Sequence, residues 1–118
     1  MEETRTVRGE IVLPNVGLPA VPADVIVEVE DVSRADAPSI VIAEQRQKGI
    51  PLRGGAVLPF TVEIPAGLID DRRSYSVRVH IDMSGSGKVK VGDFVSTQTY
   101  PVLTRGHGDK ARISVKRV

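Results

Sequence analysis

An all-β domain, an antiparallel β-sandwich of about seven strands, is what the sequence predicts, and three observations predict it. Apolar residues alternate with polar ones in short runs, as strand side chains do when they point to opposite faces. Gly, Pro, Asp and Ser clusters separate those runs, and no stretch carries the three-to-four-residue period of a long helix. At 118 residues the chain is a single domain, 1–118, large enough to bury a core without disulfides or metal staples. Short strands punctuated in this way favour an immunoglobulin-like, Greek-key sandwich over an α/β layer fold.

The first strand is expected over residues 4–13. The second, over 23–32, has the plainest grammar near the N-terminus: Val25, Val27 and Val29 share one face and Glu28 and Glu30 the other. Gly17, Pro19 and Pro22 make the segment before it an irregular loop, with Val16, Leu18 and Val21 partly exposed. A third strand is expected over 39–46 and a fourth over 57–64, where Pro59 has no N–H for a ladder and so marks an edge or bulge. Residues 65–73 suit a single helical turn. Tyr75 then opens a fifth strand over 74–83, its hydroxyl placed to bond back upstream in the manner of a tyrosine corner. In that strand Tyr75, Val77, Val79, Ile81 and Met83 oppose Ser76, Arg78, His80 and Asp82. A sixth strand is expected over 88–99, with a bulge at Gly92-Asp93 and an end at Pro101, and a seventh over 111–118.

Composition removes several functions. Sixteen Lys and Arg against fifteen Asp and Glu leave a net charge of +1, and aromatic residues are 3%, so neither a polyanion field nor a base-stacking platform is present and nucleic acid is not the expected partner. The absence of Cys excludes thiol catalysis and thiolate metal sites. No apolar run spans a bilayer. With no signal segment after Met1, the chain is expected to be periplasmic or outer-membrane-associated if an upstream signal and lipobox were removed, and cytoplasmic otherwise.

Residues 82–93 carry the one spacing that suggests a ligand. Counting from Asp82, side-chain oxygens fall at positions one, three, five and twelve (Asp82, Ser84, Ser86, Asp93) with Gly87 at six, the spacing of a calcium loop. Hydroxyls replace two of the usual carboxylates, and Lys88 and Lys90 oppose a cation. A glycine-rich hairpin tip explains the same letters. Gly85-Ser86-Gly87-Lys88 lacks the remaining positions of a phosphate-binding loop. The two histidines, His80 and His107, cannot build a multi-histidine metal site; His80 is expected on the polar face of its strand and His107 in a loop. No serine sits in a nucleophile elbow, so no enzyme is expected. The C-terminal strand is basic, and its Arg112 and Lys116 are expected to guard an edge or meet an acidic partner.

The order of phrases resembles the YbaY-type lipoprotein family, related to the YscW-type pilotins of type III secretion. The phrases are Gly9-Glu10, the strand at 22–32, the turn at 31–38, Ala43-Glu44-Gln45, Leu58-Pro59-Phe60, the segment 69–75 and Tyr100-Pro101-Val102-Leu103-Thr104. The resemblance implies a small β-sandwich on a lipid-anchored envelope protein without an assigned activity, the pilotin branch assisting outer-membrane secretins. The absent lipid-bearing Cys and the long hairpin at 84–87 depart from that pattern, so the pilotin role is not carried over. The reading is a non-enzymatic module that binds another protein, without a cofactor. The alternative is a small-ligand or Ca2+-binding domain using the hairpin at 82–93.

Overall fold

The computed structural model describes residues 3–15, 17–34 and 36–118. Eight strands run β1 (Thr4–Val12), β2 (Ala23–Asp31), β3 (Ile40–Ile50), β4 (Val57–Pro65), β5 (Tyr75–Asp82), β6 (Phe94–Ser96), β7 (Pro101–Val102) and β8 (Lys110–Arg117). A 3-10 turn, Ala66–Leu68, is the single helical piece among the described residues. The all-β expectation therefore holds.

The strands form one hydrogen-bonded path, β3-β2-β5-β6-β8-β1-β4, with β7 on the flank of β5. That path curls until its end strands β3 and β4 face each other, so the architecture is a nearly closed barrel and not clearly the expected pair of stacked sheets. Nor is it wholly antiparallel. β1 and β8 run parallel, with Arg8 opposite Lys110 and Val12 opposite Ser114. Inside lie Val7 and Ile11 of β1, Val25, Val27 and Val29 of β2, Phe60, Val62 and Ile64 of β4, Val77, Val79 and Ile81 of β5, and Ile113 and Val115 of β8. Each contributes about 1.5–3 kcal/mol by leaving water. Aliphatic side chains on alternate residues are what a barrel of this width needs to fill its interior.

Pro59 sits where its missing N–H is tolerated, in a terminal strand of the path. The Tyr75 hydroxyl reaches back as expected, accepting from the Asp70 N–H at 2.9 Å and donating to the Leu68 carbonyl at 3.3 Å. The expected sixth strand is the main correction. Residues 88–93 form loop and turn, and Gly92, with φ of 99°, belongs to that turn and not to a bulge. Strand pairing is limited to β6, and Pro101 begins β7 where it was expected to end a strand. Between them the Val79 N–H donates to the Ser96 hydroxyl and the Val77 N–H to the Tyr100 carbonyl, which satisfies β5 without a continuous neighbour.

Candidate functional site

The four residues of the expected calcium spacing come together at the tip beyond β5. Asp82 and Asp93 are both 1% exposed, because β5 ends at Asp82 and the turn before β6 swings Asp93 under it. Asp82 accepts from the backbone N–H groups of Ser84, Gly85 and Gly87 at 3.1, 3.0 and 2.8 Å and from the Ser84 hydroxyl. The Ser84 and Ser86 hydroxyls bond each other at 3.0 Å. Asp93 accepts from Met83 N–H at 2.9 Å, from Lys90 N–H at 3.0 Å and from His80 Nε2 at 2.8 Å. Both carboxylates thus serve N–H donors that the glycine-rich turn would otherwise leave unpaired, the task of an aspartate in a tight turn.

His80 lies only 5% exposed against Asp93, which corrects its expected place on a wet strand face. The reason is tertiary: the turn leading into β6 folds over that face. Imidazole and carboxylate atoms of His80, Asp82 and Asp93 lie within 4.8 Å of one another. Alternation along β5 could not reveal this triad, since Asp93 reaches it from another element. The signal available in the sequence was the turn chemistry of Gly92-Asp93.

Burial opposes ionisation of both aspartates and is the largest single effect on each. For Asp82 the Gly87, Gly85 and Ser84 donors together outweigh it; for Asp93 the His80, Met83 and Lys90 donors do. Both carboxyls are held below the usual range. A depressed carboxyl takes up its proton less readily in the folded chain than in the unfolded one, so its stabilisation is complete above roughly pH 4–5 and fades as pH falls through the folded value. Glu28 shifts upward, through burial and then Glu30, and partly offsets this on the acid side. The melting temperature is expected to drop as pH falls below about 4, the ordinary carboxylate range. Asp82→Asn should flatten that slope, and an unchanged slope would contradict the assignment.

The second feature is the seam between the end strands. Gln45 of β3 accepts from Thr61 N–H of β4 at 3.1 Å, and Gln47 donates to the Pro59 carbonyl at 3.2 Å and to Gln45 at 3.2 Å. Side-chain amides here stand where a backbone ladder would close the barrel. Ile40 (63% exposed) and Val41 (43%) lie at one end of β3, and Val57 (41%) opens β4. This seam was not legible from sequence, because which strands become the ends depends on the whole path.

The expected interaction residues are scattered. Leu18 packs partly against the core, Val21 is 56% exposed, and Val16 lies outside the described residues. β8 is not the expected edge strand, because it pairs with β6 on one side and β1 on the other; Arg112 pairs with Glu10 at 2.7 Å across β8 and β1, and Lys116 is exposed near the far end of β8. His107 borders an open depression of about 680 Å3 with Arg5, Arg8 and Lys110.

Comparison with known proteins decides the family. The family model described as "Type III secretion system lipoprotein chaperone (YscW)" matches residues 2–115. The chain belongs to the YscW family. Among solved structures it is similar to an alternative pilotin from the type II secretion system of Vibrio cholerae, with 26% identity, a TM-score of 0.79 and 98% of each chain covered. No curated protein matches. A family of chaperones implies a protein partner for this YscW-family chain. No helix among the described residues is long and apolar enough to cross a membrane.

Proposed function

We propose that this YscW-family chain is a non-enzymatic chaperone of the bacterial cell envelope that binds a segment of another protein along the β3/β4 seam. The family match over residues 2–115 carries the reading. The likeness to a pilotin along the whole chain supports it. The seam supplies the site: two edge strands face each other with apolar residues exposed at both ends, and their free backbone groups are engaged by the Gln45 and Gln47 amides. An extended partner segment replaces those amides with its own N–H and C=O groups, as in strand addition to a sheet edge. The Gln45 and Gln47 amides bridge the seam, and Glu44, Arg46, Lys48 and Glu63 are exposed along its two strands, so a partner segment meets charged as well as apolar side chains there.

With the full chain as bait in a native envelope extract, one partner is expected in stoichiometric amount. Ile40→Asp places a charge at the mouth of the seam and should weaken capture roughly tenfold or more, since a desolvated charge without a partner is strongly opposed. Leu68→Asp, at a site on the 3-10 turn that is 51% exposed against 63% for Ile40, should leave capture unchanged. Equal losses in the two variants, or no partner with the unaltered chain, would overturn the reading.

A further inference from the structure

The tip that holds Asp82 and Asp93 has an outer surface of a different character. Residues 88–91 alternate Lys88, Val89, Lys90 and Val91, all exposed, and Val91 is 91% exposed. A valine so open to water is unfavourable in isolation, and it has company. Gly92 N–H donates to the Val118 carbonyl at 3.2 Å and Val118 N–H to the Asp93 carbonyl at 2.8 Å, so the end of the basic strand is tied beside the loop. Val118 is 44% exposed and Val89 43%, and Lys116 and Arg117 are exposed next to it.

Charge at this end is sorted by depth. Asp82 and Asp93 are both turned inward and fully engaged with N–H donors, which leaves Lys88, Lys90, Lys116 and Arg117 on the outside. Asp24 of β2, opposite Asp82 of β5, is half-buried and accepts from Gly49 N–H at 3.3 Å. The loop is also held in shape, since Asp93 N–H donates to the Lys90 carbonyl and Lys90 N–H to the Asp93 carboxylate, both at 3.0 Å. No ordering of the backbone is then needed on docking.

The geometry points to a membrane-docking tip, in which Val89, Val91 and Val118 enter the headgroup region of an anionic bilayer while Lys88, Lys90, Lys116 and Arg117 meet its phosphates. Exposed aliphatics flanked by long basic side chains, whose ammonium and guanidinium groups reach back to the interface, are the composition of an interfacial anchor. A protruding turn with valines at its surface fits a flat bilayer better than it fits a peptide, which needs a groove. Open depressions of about 680 and 540 Å3 lie beside β8 around Lys110 at its opposite end, and one of about 400 Å3 lies between Leu13, Phe94 and residues 114–117, but Lys88, Val89, Lys90 and Val91 line none of them. The docking tip is independent of the seam, and it sets how the chain is presented to the membrane while the seam holds a partner.

The test is flotation of the full chain with vesicles of phosphatidylglycerol and phosphatidylcholine, beside vesicles of phosphatidylcholine alone. Binding to the anionic vesicles is expected, weakening as salt is raised. K88Q/K90Q should lower it roughly tenfold or more, given the attraction of each lysine to an anionic surface. Val91→Ser, which leaves the charge unchanged, should lower it several-fold. R8Q/K110Q removes the same charge from the far end and should bind as the unaltered chain does. Equal binding to neutral vesicles, no binding to either, or equal losses in K88Q/K90Q and R8Q/K110Q would overturn the proposal. Retention of a synthetic polyglutamate peptide without vesicle binding would likewise replace the bilayer by an acidic protein. Partner capture through the seam should be unaffected in K88Q/K90Q, which separates the failure of one reading from the failure of the other.

Discussion

Gly9→Ala is expected to cost more than about 3 kcal/mol, at the upper end of what overpacking does, and to leave little folded protein at 37 °C. Gly9 stands in β1 between β8 and β4, and a Cβ there would lie 1.8 Å from the Ala111 carbonyl oxygen and 2.9 Å from the Phe60 ring. Phe60 can turn aside, but the carbonyl is part of the backbone. Relief therefore requires β1 and β8 to part at Gly9 opposite Ala111, within the one parallel pairing of the described strands. Because that pairing joins β4 and β1 to the rest of the path, parting it opens the barrel. Chemical denaturation of the variant beside the unaltered chain measures the loss. A change below about 1 kcal/mol would show that the strands shift apart without strain.

Asp93→Ala is the second large effect, at about 3–5 kcal/mol, because one change takes the acceptor from three donors at once. The carboxylate bonds the buried His80 and the part-buried Met83 and Lys90 N–H groups, and alanine leaves all three without that acceptor. The melting temperature should fall by roughly 10–20 °C for a domain of this size. Asp93→Asn retains the shape and one acceptor and should fall in between. The double variant His80→Ala/Asp93→Ala should lose less than the sum of the single changes, because the partners share one contact. Strict additivity would mean that the histidine and the aspartate do not support each other.

Both effects arise where strand alternation is silent. Period-two burial located β1, β2, β4, β5 and β8 to within about two residues, because each has Val or Ile on alternate positions against a dry interior. Lys88-Val89-Lys90-Val91 shows the same pattern without being a strand. Alternation reports a surface with two faces, and a strand also needs a neighbour to take its hydrogen bonds. Here the Lys90 N–H is taken by the Asp93 carboxylate instead. His80 went astray for the complementary reason, since the burial of a polar strand face depends on what the chain lays over it afterwards.

The letters of this chain were enough for the all-β class, the aliphatic make-up of its interior, the tyrosine bond to the preceding turn and, through the order of phrases, a resemblance to YbaY-type lipoproteins, relatives of the YscW family that the family model matches. Each is a local property, written in neighbouring residues or in their succession. Tertiary structure alone decided that β1 would pair in parallel with β8, that Gln45 and Gln47 would bridge an unclosed seam, and that Asp93 would meet His80. Those outcomes join residues far apart in sequence, and they are chosen by how the twist of the whole sheet brings its ends together, which no stretch of neighbouring residues records.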